Sequence, residues 1–333
     1  MAGQVFNYAA KARKFIEGTL VGMHTRAGFY ADAHSAEFIS DLIGRAVHFH
    51  LPDSGRILDD ELRGLWGEEV RLPYPIMTIE YRATGETAPG AREVPERLAV
   101  ACETTIDALP WAPAADTAEG LWPDDHRCVL VIPLSGSGSD TWTIDPIAVA
   151  MPMVPVFSPS AAEKADLDVS TPPDYFRREP GKKGCVMAAA GLIVQPGVME
   201  QTYLRFGERA YNEIMADSTM EAMAVLGLVE ALSCTNVTTE IAQAGDAALN
   251  ARRARQGKLP LFETRTLVIV PGRSTGGVSF GTGHHASPRQ HLRRGHIRRL
   301  QDGKKTWVNA CVVGAAEAGV IGKKYAVCGI EAE

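Results

Sequence analysis

Several things are scarce in this 333-residue chain, and each scarcity narrows the reading. Its six cysteines, at 102, 128, 185, 234, 311 and 328, are widely spaced and form no C-x-x-C pair, which argues against a disulfide scaffold and predicts a reducing compartment. Long apolar runs are missing. The longest uncharged, largely apolar stretch, Cys185 to Met199, contains Pro196 and falls short of the roughly 20 residues that cross a bilayer. Lys11, Arg13 and Lys14 interrupt the apolar residues of the opening segment, so no signal peptide is read there. A cytoplasmic protein without a membrane partner is expected. No H-E-x-x-H, G-x-S-x-G or G-x-x-x-x-G-K-[ST] occurs, and the glycine-rich stretch Gly272 to Gly283 lacks the lysine of a phosphate loop. Nothing in the chain calls for a cofactor.

Acids are scarce in one region only. Between Asn250 and Val308 stand thirteen Lys or Arg against Glu263 and Asp302, a balance of +11, although the whole chain carries −6. The rest must then carry −17. A sign asymmetry of this size points to a polyanionic partner, with RNA or DNA first. The plain alternative is that these arginines solvate one face or pair with acids elsewhere in the chain, where exposed pairs add little stability. Against it, the five arginines within Arg289 to Arg299 have no acid nearby in sequence and would repel one another without an anion or a distant acidic surface.

Apolar residues recur at three- and four-residue spacing over Phe6 to Leu20, Ser35 to Phe49 and Asp59 to Leu65, which predicts a helical opening. Period-two alternation predicts strands at Ile76 to Arg82, Leu98 to Thr105 and Phe262 to Val270, with a buried strand at Arg127 to Leu134 and more sheet over Trp142 to Met153. Asp217 or Ser218 can cap a helix over Thr219 to Ser233 whose methionines read as core. Asn236 to Ile241 reads as a short strand, and Ala244 to Gln256 as a basic helix stopped by Gly257. Further strands fall at Lys305 to Val313 and Lys324 to Ile330. The fold class is α/β (α+β): a helical opening with mixed sheets, then a small mixed α/β unit. Residues 1–157 read as an acidic domain, 158–183, with Pro172, Pro173 and Pro180, as a linker or surface excursion, and 184–333 as the basic domain.

Three stretches carry a distinctive pattern: Asn250-Ala-Arg-Arg-Ala-Arg-Gln-Gly-Lys-Leu-Pro-Leu-Phe, Ser287-Pro-Arg-Gln-His-Leu-Arg-Arg-Gly-His-Ile-Arg-Arg-Leu, and Gly303-Lys-Lys-Thr-Trp-Val-Asn-Ala-Cys-Val-Val-Gly. Together they resemble an uncharacterised family of phage and prophage proteins. The resemblance covers about the last quarter of the chain. It implies a mobile-element origin and supplies neither an activity nor a catalytic residue.

The chemistry must therefore be read from side chains. His291 and His296 lie five apart with Arg293 and Arg294 between them, Arg289 before, and Arg298, Arg299, Lys304 and Lys305 after. Arginine and lysine at these positions suit a phosphate-contacting surface. Two histidines add a candidate general base and acid for metal-independent phosphodiester cleavage, since imidazole titrates near neutrality. As a loop leading into a strand, the segment puts His291 and Arg293 on one face and His296 and Arg298 on the other, unless Gly295 permits a bulge. A zinc site from His284 or His285, His291, His296 and Cys311 or Cys328 matches no usual ligand spacing, so no metal is assigned. His48, His50, Asp53, Asp59 and Glu80 read as structural. The competing function is a virion-associated or interaction component whose basic segment docks an acidic protein partner or a second copy as a homo-oligomer.

Overall fold

The computed structural model describes residues 6–57, 69–83, 96–105, 108–109, 127–138, 140–153, 157–159, 178–179, 182–183, 185–187, 189–207, 209–270, 289–293, 296–308, 311–313 and 315–320. The fold is α/β: helices cover both faces of a mixed nine-stranded sheet. Its strands are β1 (Val47–His50), β2 (Ile76–Arg82), β3 (Glu96–Thr105), β4 (Arg127–Gly136), β5 (Trp142–Ile144), β6 (Ile147–Pro152), β7 (Ala190–Ile193), β8 (Val237–Gln243) and β9 (Thr264–Ile269). They lie in the order β7-β6-β4-β3-β2-β1-β9-β8, with β5 paired to β4. Within this sheet, parallel pairing is confined to β1, which has β2 on one side and β9 on the other. All other ladders of this sheet are antiparallel.

Strands covered on both faces need apolar residues at every position, and β4 and β6 show this. Leu98, Val100, Leu130, Ile132 and Leu134 face a layer made by α1 (Tyr8–Phe15) and α3 (Tyr30–Arg45), through Ala9, Ala12, Ile39 and Ile43. Ala99, Ala101, Val129, Val131 and Val149 face the other way, onto Ala222, Val225, Leu226 and Val229. The latter belong to α5 (Arg209–Leu232), the helix that closes the second face. Between α1 and α2 (Val21–Ala27) one π-helical turn, Ile16–Leu20, keeps Ile16 and Leu20 in the core.

Strands from either side of 158–183 share this sheet: β7 pairs with β6, and β9 with β1. The sheet is thus common to the 1–157 and 184–333 units expected from sequence. Two expectations from sequence change. Val47-His-Phe-His, expected to end a helix running to Phe49, is strand β1, because its alternate residues are taken up by two neighbouring strands. Asp217 and Ser218 lie inside α5 rather than capping it. Ser218 Oγ donates to the Ile147 carbonyl at 3.1 Å, and Asp217 binds Arg97. The expected Asp59–Leu65 helix and Lys324–Ile330 strand lie outside the described residues.

Two helices start on buried carboxylates supplied from far away in sequence. Glu80, on β2, accepts the Tyr8 and Ala9 amides at the start of α1, where Asn7 makes no side-chain cap. Asp32, on α3, accepts the Gly197 amide at 2.9 Å and the Val198 amide at 2.8 Å at the start of α4 (Pro196–Phe206). A carboxylate there satisfies first-turn donors and meets the positive end of the helix dipole. The approach is close enough to demand glycine: a Cβ at Gly197 would lie 2.7 Å from the Phe29 ring.

Asp32→Ala is expected to cost about 1–2 kcal/mol, the range for a lost helix cap, and Asp32→Asn less, because one amide oxygen still accepts. Urea unfolding midpoints of the two variants measure this. An unchanged midpoint in Asp32→Ala would show that Asp32 does not hold α4.

Candidate nucleic-acid interface

The basic segment is built as a hairpin. Strand β10 (Arg289–Arg293) pairs antiparallel with β13 (Cys311–Val313), matching His291 to Val313 and Arg293 to Cys311. Strand β11 (His296–Arg299) pairs antiparallel with β12 (Lys305–Val308), matching His296 to Val308 and Arg299 to Lys305. Two residues on each side, 294–295 and 309–310, separate the ladders, so both follow one register. The turn closes with Leu300 N donating to Lys304 O at 2.7 Å, and with Gly303 at φ 81°, a left-handed position that favours glycine. A further strand, β14 (Ala315–Val320), pairs parallel with β10.

What holds the hairpin to the body is the turn between α5 and β8. Asn236 acts as a surrogate strand residue: its Nδ2 donates to Trp307 O at 2.9 Å, and its Oδ1 accepts from Trp307 N at 2.7 Å. Thr235 adds a backbone donor at 2.9 Å and its hydroxyl at 3.1 Å, both to Lys305 O. These contacts occupy the edge of β12, so β11, the strand carrying Arg298 and Arg299, lies on the far side of the hairpin from the body.

The predicted site residues separate into groups. Arg298 is exposed on β11, and Lys304 is exposed at the turn, where its Nζ reaches Asp302 at 2.9 Å. Arg299 sits on β11 opposite Lys305. Arg289, His291 and Arg293 belong to β10, and Arg294 lies outside the described residues. Lys305 stands apart from any surface. It is 6 % exposed, and with the buried Glu230 it flanks Cys234, whose thiol burial pushes up to about 11. His291 pairs with Val313 in one ladder and His296 with Val308 in the other.

A second basic element is α6 (Ala247–Arg255). Asp246 caps it, with Oδ1 accepting Leu249 N at 2.6 Å. No residue of this helix is buried. It is held instead by Asn250, which exchanges two hydrogen bonds with the Leu261 backbone at 2.9 and 2.8 Å, and by Arg253 Nε donating to Leu259 O at 2.7 Å. Arg252, Arg255 and Lys258 are exposed, and none of them pairs with an acid among the described residues. Arg265, by contrast, reaches Glu263 at 2.8 Å.

Sequence reasoning missed one constellation, a buried knot of charge where α5 crosses the sheet. Arg97 forks onto Asp217 at 3.0 and 3.1 Å and lies 3.4 Å from Glu221 and 4.0 Å from Asp145. Tyr81 Oη donates to Glu221 Oε1 at 2.9 Å, and Glu221 Oε2 is buried with no hydrogen-bond partner among the described residues. Three carboxylates share one guanidinium. Burial therefore pushes Glu221 up to about 7 and Asp145 up to about 6 despite Arg97. No spacing rule links Tyr81, Arg97, Asp145, Asp217 and Glu221, which come from four separate elements. No group of His, Cys, Asp or Glu able to hold a metal occurs among the described residues. A cavity of about 570 Å³ between α4 and α5 is lined mainly by apolar and aromatic side chains, with Glu200 its one charged group. None of the described helices is long and apolar enough to cross a membrane.

Searches with protein-family models, of curated proteins and of solved structures find no match to this chain.

Two outcomes follow from this geometry. Asn236→Ala removes both bonds to Trp307, at about 0.5–1.5 kcal/mol each, and is expected to speed tryptic cleavage after Arg298, Arg299 and Lys304 by about tenfold without shifting the global unfolding midpoint. Unaltered cleavage would show that the clamp does not hold the hairpin. The second concerns pH. Glu221, Asp145 and Glu80 (about 7) all titrate above the unfolded carboxylate range, so folding favours their neutral forms. Stability from this source is complete near pH 4 and is lost as pH rises through 6 and 7. The urea midpoint of the wild type should fall between pH 5 and pH 8, and Glu221→Gln should flatten that slope. A slope of opposite sign, or one untouched by the substitution, would refute the assignment.

Proposed function

We propose that this chain is a nucleic-acid-binding protein of phage or mobile-element type, working in the cytoplasm, which contacts phosphates through strand β11, the turn after it and helix α6. The observation that carries this reading is the placement of the cations. The hairpin is fastened by β12, which leaves the arginine-bearing strand outermost. Arg252, Arg255, Lys258 and Arg298 are exposed without an acid partner among the described residues. Cations left unpaired at this density, in a protein of net negative charge, favour an external polyanion over internal charge pairing. The buried thiols of Cys102, Cys128 and Cys234 are free, which suits a reducing compartment. Lys305, being buried, is left out of this surface, and the binding is proposed without cleavage.

Fluorescence-anisotropy titrations of labelled nucleic acids across a salt series test the reading. Affinity should fall linearly with the logarithm of salt concentration, and each of Arg298→Ala, Arg252→Ala and Lys258→Ala should reduce that slope by about one. His296→Ala should leave affinity within about twofold, with no cleavage products from either protein. No binding at low salt, or salt-sensitive self-association without nucleic acid, would replace this reading with docking onto an acidic protein surface.

A further inference from the structure

Resting on that reading, we infer that the partner is double-helical DNA and that α6 enters its major groove, with Arg255 set to meet guanine edges.

The helix is tethered along one face only. Asn250 and Arg253 are its two half-buried residues, and both bind the backbone of the returning segment, at Leu261 and Leu259. The other seven residues of α6 are exposed. At 3.6 residues per turn, the tethered pair fixes which residues point away from the body. Ala248 and Arg255, seven apart, run down the middle of that outer face, with Ala251 on one flank and Arg252 on the other. Two alanines and two arginines offer too little apolar area to suit a hydrophobic groove on another protein.

The order of residues on this face separates it from a merely basic patch. A surface that holds phosphates needs charge, at whatever distance the side chains allow. A helix that reaches base edges needs short side chains along its line of closest approach, because a long one there would keep its axis off the groove floor. It also needs a long donor where a base is to be met. Ala248 and Ala251 supply the first, and Arg255 the second. The dimensions agree: a helix with its side chains is about 10–12 Å across, and the B-form major groove is about 12 Å wide. A guanidinium fork donates to guanine O6 and N7 together, and an alanine methyl suits the thymine methyl. Arg252 on the flank, and Lys258 just past the stop at Gly257, are placed for the phosphate ridges. Arg253 has another task, since its Nε holds the helix to Leu259 O.

This placement selects among nucleic acids. The major groove of duplex RNA is too deep and narrow for side chains to read, so a helix that enters a groove requires the B form. Single strands present no groove.

The experiment titrates the full chain against one mixed-sequence DNA duplex and three relatives of it, at one salt concentration. In the first relative 7-deazaguanine replaces guanine and deletes the N7 acceptor of the major groove; in the second inosine replaces guanine and deletes the amino group of the minor groove; the third is the RNA duplex of the same sequence. For the wild type, 7-deazaguanine should weaken binding at least about fivefold, inosine less than about twofold, and RNA at least about tenfold. Arg255→Ala should bind the natural and 7-deazaguanine duplexes alike. Ala248→Leu keeps the net charge and a good helix former, yet should weaken binding to the natural duplex about tenfold, a loss that attraction by charge alone would not show. Neither side chain is buried, so both variants should keep the wild-type urea midpoint. Equal affinity of the wild type for the natural and 7-deazaguanine duplexes, a loss confined to inosine, RNA bound as tightly as DNA, or wild-type affinity in Ala248→Leu would overturn groove entry while leaving nucleic-acid binding in place. Absence of binding to all four duplexes would instead remove the reading on which it rests.

Discussion

The basic third of this protein depends on a four-residue strand near the other end of the chain. Val47-His-Phe-His is hydrogen-bonded in parallel on both sides, to β2 and to β9, and so joins the antiparallel body to the ribbon of β8 and β9. Parallel neighbours cannot be linked by a tight turn, so long stretches of chain have to be folded before this ladder can form. Its surroundings are made for burial. His48 is 5 % exposed, bonds Thr78 at 2.7 Å and stacks on Phe262, and its desolvation lowers the imidazole to about 4, so it stays neutral where most histidines begin to charge. The hairpin, held just before β8, and α6, held on the segment that leads into β9, inherit their position from this strand.

Polar groups rather than apolar ones fasten the outer elements. The sheet and its covering helices form two apolar cores, one on each face, but α4 begins on Asp32, α6 on Asp246 with Asn250 behind it, and the hairpin hangs from Asn236. Such attachments are directional and individually modest, so they fix orientation. An arrangement of this kind suits a surface that must be presented in a defined pose yet cannot be buried. The charge knot around Arg97 works differently. It ties α5 to β2, β3 and the turn between β5 and β6, and its excess of carboxylates makes the body sensitive to protons near neutrality.

Much of the sheet is legible in the sequence, and the reasons are local. Ile76 to Arg82, Leu98 to Thr105 and Arg127 to Leu134 announce themselves by alternation or by unbroken apolar runs, and all three are strands. The basic helix before Gly257 is legible for the same kind of reason, as a capped, arginine-rich stretch. What fails to show is whatever depends on partners distant in sequence. Val47 to His50 has only four residues in which to show a period, and the preceding helical spacing runs into it. Asp217 looks like a cap because nothing nearby reveals Arg97, 120 residues away. Of the candidate site, the charge window is visible in composition alone. The burial of Lys305 is not, because it follows from Thr235 and Asn236 gripping the neighbouring backbone, and no pattern of residue types records that grip.

The central claim is that a basic strand held outward by β12, together with α6, forms one surface for a nucleic-acid backbone. Hydrogen exchange of the full chain with and without a saturating DNA duplex tests it most directly. The account predicts slowed exchange confined to Ala247 to Lys258 and His296 to Lys304, with the amides of α4 and of β4 unchanged. Slowing centred on α4 and the adjoining cavity, or no slowing in either basic element while the duplex is bound, would contradict it.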